Sequence, residues 1–144
     1  MTQAVPEEFW QGVEQFNQGQ FYACHDTLEA LWIEASEPHK TFYQGILQIA
    51  VALYHLENSN WRGAVILLGE GINRLRRYPS AYAGIDVDEL LIKSASLLKA
   101  LQQSGPDKVG DLIVGAESNQ MPLGSAMVSE DEVLRLPSII KINS

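Results

Sequence analysis

The stretch "FYACHDTLEALW", residues 21–32, sets His25 and Glu29 one helical turn apart, with Trp32 three residues further on. Side chains four apart on a helix lie on the same face, so this imidazole and carboxylate can meet. Phe21, Leu28 and Trp32 read as the core side of the same helix, which places His25 and Glu29 on a stripe expected to be buried. A buried carboxylate needs hydrogen-bond partners or a proton, and an imidazole beside it is held in one tautomer or charged. If the next helix runs antiparallel after a turn near residue 37, facing residues have numbers summing to about 75 at 1.5 Å of rise per residue. Gln48 then falls between His25 and Glu29, and His55 follows about a turn later on the stripe of Gln48 and Ala52.

The expectation is one polar cluster of His25, Glu29, Gln48 and His55 between helices two and three. A second turn near residue 59 sets Gln48 roughly opposite Glu70, but Glu70 and Arg74 form a favourable i, i+4 surface pair, so Glu70 is left outside. Three readings compete for the cluster. It is a satisfied polar network that fixes helix register, a pocket for a small molecule or peptide, or a metal or catalytic site.

Metal chemistry lacks its usual spacing. Di-iron bundles need Glu-x-x-His twice with two further carboxylates, whereas this chain has His-x-x-x-Glu once. The zinc motif His-Glu-x-x-His is absent and the chain holds 3 histidines. No Gly-x-Ser-x-Gly occurs, and "GEGINR" lacks the third glycine and the preceding strand of a phosphate-binding loop. No metal and no cofactor is expected. Cys24 neighbours His25, but consecutive helix residues point about 100° apart, so it reads as core.

Short turns separate the helices that must position these groups. Pro6, Glu7 and Glu8 suit a first turn, and the helix they open ends at "NQG" with Gly19. The second helix spans about 20–36. The third runs from Pro38 to about Glu57, apolar around its axis and therefore central. Asn60 caps a fourth, about 61–77, in which Gly63, Gly69 and Gly71 imply close packing. "YPSAYAGID" reads as loop, and Asp86 caps a fifth helix that Gly105 and Pro106 end. "DKVGDLIVGA" reads as a further short helix, and Ser129 with Glu132 has capping-box spacing.

The fold class is therefore all-α, a compact antiparallel bundle of five to six helices with a partly irregular C-terminal tail. Residues 1–115 form the single domain, and 116–144 pack on the bundle or a partner. The chain has 144 residues, 46% of them hydrophobic and 19% charged, an ordinary globular balance. A net charge of −8 argues against nucleic acid, whose phosphates demand a basic face. Arg74, Arg76 and Arg77 cluster at a helix end, where cations complement free carbonyls. "GILQIAVALY" is too short for a membrane span, and the N-terminus has no secretory pattern. With 1 cysteine there is no internal disulfide, and a cytoplasmic setting is expected. Trp10, Trp61 and the apolar tail are candidates for a homodimer surface.

The sequence resembles the family catalogued as domain of unknown function 309. Its pattern is matched by Phe16, Asn17, Gly19 and Phe21, then His25, Asp26, Glu29 and Trp32, then Gln44, Gly45 and Gln48, then His55, and finally Gly63 and Ala64. The resemblance covers roughly residues 9–78 and implies a compact all-α bundle, with no activity attached. It adds Gln44 and Trp32 to the candidate group. The functional expectation is a non-enzymatic binding or interaction module, with a small molecule or protein as partner, that uses the groove of helices two and three. The runner-up is a small-molecule or metal-dependent enzyme centred on His25 and Glu29.

Overall fold

The computed structural model describes residues 5–106 and 136–142. Its elements run α1 (Glu7–Asn17), α2 (Phe21–Glu34), α3 (His39–Glu57), α4 (Trp61–Leu75), β1 (Ala81–Tyr82), β2 (Ile85–Asp86) and α5 (Val87–Ser104). The class is all-α, as the helical periodicity implies. The expected short helix after residue 106 and the Ser129 capping box lie outside the described residues.

Local chemistry sets the boundaries. α1 starts behind Pro6, with Glu7 and Glu8 in its first turn, and stops where Gly19 takes φ +80°. The Glu37 carboxylate closes the start of α3 by accepting from the Thr41 backbone N–H (3.0 Å) and hydroxyl (2.7 Å), which lowers its pKa from the ordinary glutamate value. Asn60 caps α4 by accepting from the Gly63 N–H at 2.9 Å, and Asp86 caps α5 by accepting from the Glu89 N–H at 2.9 Å. Gly105, at φ +76°, ends α5.

Successive helices are antiparallel neighbours. Across α3 and α4 the pairs Gln48 with Glu70 and His55 with Gly63 have numbers summing to 118. Across α2 and α3, Tyr22 with Tyr54 and Trp32 with Lys40 sum to near the expected 75. α3 is the central helix and buries Phe42, Tyr43, Ile46, Ile49, Leu53 and Leu56. Phe9 and Phe16 close the core from α1, Phe21, Cys24 and Leu28 from α2, Leu68 and Leu75 from α4, and Leu90, Leu97 and Leu101 from α5. Fully burying each large side chain contributes roughly 1.5–3 kcal/mol.

One expectation changes. The segment read as loop between α4 and α5 holds a small antiparallel hairpin, Ala81 opposite Asp86 and Tyr82 opposite Ile85, turned by Ala83 (φ 54°) and Gly84 (φ 84°). His39, at the start of α3, is half-buried, with Nδ1 3.3 Å from the Tyr82 hydroxyl and its ring against Tyr43 and Tyr82. Trp10 and Trp61 are half-buried, and each also makes contacts within the fold. Trp10 packs edge-on against Phe9, and the Trp61 indole N–H donates to the Leu101 carbonyl at 2.8 Å.

Candidate functional site

On α2 the buried stripe is Phe21, Cys24 and Leu28, while His25, Glu29 and Trp32 lie next to it and are half-exposed. At 100° per residue Trp32, His25 and Glu29 sit roughly 45°, 65° and 105° around the helix from the middle of that stripe, at the seam with α3. His25 and Glu29 are thus on the rim of the core rather than inside it, and the expected burial does not hold. The His25 side chain is 24% exposed, and its Nδ1 lies 3.2 Å from Oδ1 of Asp26. Its ring stacks on Tyr22 at 5.6 Å, and Tyr22 meets Tyr54 of α3 at 5.3 Å. One ligand atom from each of His25, Asp26 and Glu29 lies within 4.8 Å of the others.

α3 carries a second stripe, Gln44, Gln48, Val51 and His55, of which Gln44, Val51 and His55 are half-exposed and Gln48 is buried. The sequence reads this helix as apolar all round, yet here it reaches the surface between α2 and α4. Gln48 is 9% exposed, and its Nε2 donates to Oε1 of Glu70 at 3.0 Å. Glu70 therefore belongs with Gln48 and is not spent on Arg74, which corrects its exclusion. Oε1 of Gln48 is buried without a partner among the described residues. Flipping the amide would set oxygen against carboxylate, so Glu70 fixes its direction. His55 lies 3.2 Å through Nδ1 from Nδ2 of Asn60, against Gly63, where a Cβ would stand 2.9 Å from the ring. Trp32 is covered by Lys40, whose ammonium lies 4.9 Å from the ring centroid and donates to the Trp32 carbonyl at 2.8 Å.

Of the six expected residues five are half-exposed and Gln48 is buried, and they do not form one sealed cluster. They form separate pairs: His25 with Asp26, Gln48 with Glu70, His55 with Asn60. Asp26 and Glu70 complete two of these pairs. The resemblance motif already contained Asp26, and the register sum of 118 already pointed to Glu70.

The Gln48–Glu70 pair gives a direct test. Glu70→Ala leaves Nε2 without an acceptor beside an oxygen that already lacks a donor, and is expected to cost about 1–2 kcal/mol in urea denaturation. Adding Gln48→Leu removes both orphaned atoms and is expected to restore most of that loss.

Other chemistry lies elsewhere. Cys24 is 0% exposed, and burial pushes its thiol up to about 12, so it is no nucleophile at neutral pH. A cavity of about 620 Å³ opens at the α2–α3 turn, lined by Pro6, Leu31, Glu34, Glu37, His39 and Tyr43 among others, and it contains none of the six residues. Among the described residues no helix is long and apolar enough to cross a membrane.

A helical bundle with one polar outward face is the class that fold and site define. Residues 9–67, from α1 into α4, match the family model "Domain of unknown function (DUF309)". The chain is similar to the "Uncharacterized protein YpuF" of Bacillus subtilis (strain 168), 32% identical over 83 residues, which are 57% of this chain and 45% of that protein. It is also similar to an "Uncharacterized protein" of Aquifex aeolicus (strain VF5), 26% identical over 76 residues, 52% of this chain and 23% of the relative. The chain therefore spans less than half the length of these curated relatives.

Proposed function

We propose that this chain is a non-enzymatic binding module whose ligand lies across the outward face of α2, α3 and α4, starting at His25. The observation that carries this is the convergence of His25, Asp26 and Glu29 within 4.8 Å at a half-exposed position beside the Tyr22–Tyr54 pair. Asp26, Glu29 and Glu70 supply acceptors and Tyr22 and Tyr54 supply aromatic surface, which together suit a donor-rich cationic group. The ligand is then an organic amine or a basic segment of a protein. The single buried thiol and the acidic charge fit a reducing, cytoplasmic setting.

A divalent cation is the second reading, and one distance favours it. Nδ1 of His25 and Oδ1 of Asp26, 3.2 Å apart, match two ligands about 2.1 Å from one ion at an angle of roughly 100°. One experiment tests both readings. A thermal-shift screen of zinc, manganese, phenethylammonium and spermidine is run on wild type, His25→Ala and Glu29→Gln, with metal analysis of tag-free protein. The binding-module reading expects a rise in melting temperature of a few degrees with an amine, lost in both variants. Stoichiometric metal lost in His25→Ala would select the cation instead. Variants that respond like wild type would remove the site.

A further inference from the structure

Residues 136–142, "LPSIIKI", lie extended in a cleft between α1 and the β1–β2 hairpin. The backbone of Ile139 is held in both directions by one side chain, its N–H donating to Oδ1 of Asn17 at 2.7 Å and its carbonyl accepting from Nδ2 of Asn17 at 2.9 Å. The Asp86 N–H donates to the Ile140 carbonyl and the Ile142 N–H to the Gly84 carbonyl, each at 2.8 Å, so the segment adds to the hairpin. These bonds read backbone, not side chains. Selectivity comes from alternate positions: Pro137 and Ile139 are buried, and the Lys141 ammonium sits 4.8 Å from the Trp10 ring centroid. Gly84 is required here for two reasons. It takes φ +84°, and a Cβ on it would stand 3.0 Å from Trp10.

We infer that this cleft is a docking site for an extended peptide with an aliphatic anchor followed two residues later by a lysine or arginine, and that residues 136–142 are its tethered resident. Asn17 and Trp10 lie within the family-matched stretch, whereas the resident segment lies outside it. Between Pro106 and Leu136 the sequence runs through 107–135, which could span roughly 100 Å at full extension, so the connection does not impose the docking. The cleft itself imposes it, through a backbone clamp, an anchor pocket and a cation site. The partner is a basic, extended segment of another protein, which the acidic chain attracts. The resident segment acts as an intramolecular competitor at an effective concentration of order millimolar. No residue of the α2–α4 face takes part, so the two proposals stand or fall separately.

The test uses the full chain and a fluorescein-labelled peptide with the sequence of residues 136–142. Ile139→Asp puts a carboxylate in the anchor pocket, vacates the cleft and is expected to bind the peptide at least tenfold more tightly than wild type. Adding Asn17→Ala is expected to weaken that binding roughly tenfold or more, through two lost hydrogen bonds. A peptide carrying Asp at the Ile139 position is expected not to bind. If Ile139→Asp does not fold by circular dichroism, Ile139→Gly replaces it. In wild type, excess peptide is expected to perturb the Gly84 and Asp86 amides in nuclear magnetic resonance spectra. A folded vacated variant that ignores the peptide, or binding indifferent to Asn17, overturns the inference, as do unperturbed amides in wild type.

Discussion

Between pH 7 and pH 11 the wild-type chain is expected to lose roughly 2–3 kcal/mol of stability that its Cys24→Ala variant keeps. Cys24 is sealed in the core beside Phe21 and Leu28, and desolvation raises its thiol from 9.0 to about 12. Below pH 9 the thiol is protonated in both folded and unfolded chains and contributes no pH dependence. From pH 9 to about 12 the unfolded chain releases the proton while the folded chain retains it, so the unfolded state gains about 1.4 kcal/mol per pH unit. Tyr43, Tyr78 and Tyr82 are also raised, chiefly by burial, and destabilise in the same direction, but they do so equally in both proteins. Urea denaturation of the pair at pH 7, 9, 10 and 11 isolates the thiol. At neutral pH wild type should be the more stable, because alanine leaves a small cavity. That advantage should shrink and then reverse. Parallel pH profiles would mean that the thiol reaches water rather than lying sealed in the core.

The depth of His25 is where the sequence misleads, and the cause is angular. Periodicity places Phe21, Leu28 and His25 within one broad sector of α2, but it does not say where the neighbouring helix ends. α3 approaches from the Phe21–Leu28 side, so a rotation of 40–60° separates a sealed side chain from one that is half-exposed. Register was more legible. Short turns force antiparallel neighbours, and the sums near 75 and 118 follow from turn position alone, which brings Gln48 to Glu70. The local i, i+4 pairing of Glu70 with Arg74 does not outrank that register. Asn60 and Asp86 were legible as caps because a cap is chemistry within four residues. The hairpin was not. Its strands are two residues each, its turn is Ala-Gly, and its third partner, Lys141, lies far along the chain. Such pairing is set by tertiary packing, which leaves little local pattern. The cleft that holds residues 136–142 was hidden for the same reason, although Asn17 stood in the resemblance motif.

The register of α3 on α4 rests on glycine, and Gly71→Ala is expected to cost about 3 kcal/mol and to lower the melting temperature by roughly 10 °C. A Cβ at Gly71 would stand 2.7 Å from Cγ1 of Ile49 and 2.8 Å from the Gly45 carbonyl oxygen. The second of these is backbone, which no rotamer change can relieve. Helix propensity works the other way, since alanine is favoured over glycine by about 1 kcal/mol, but overpacking outweighs it. Gly69, two residues away on the same helix, provides the contrast. Its nearest neighbour to an added Cβ is Cδ2 of Leu98 at 4.0 Å, so Gly69→Ala is expected to stabilise by about 0.5–1 kcal/mol. Thermal denaturation of the two variants separates close packing from propensity, and equal shifts would show that α3 and α4 do not lie in contact at Gly71. The consequence reaches the polar face. Forcing α4 outward lengthens the 3.0 Å bond between Gln48 and Glu70 and opens the groove at its α4 wall. Gly71→Ala should therefore weaken any ligand that spans from His25 to Glu70, while a metal ion held by α2 alone should bind it as it binds wild type. The same variant thus reports on stability and also distinguishes the two ligand classes that His25, Asp26 and Glu29 can accept.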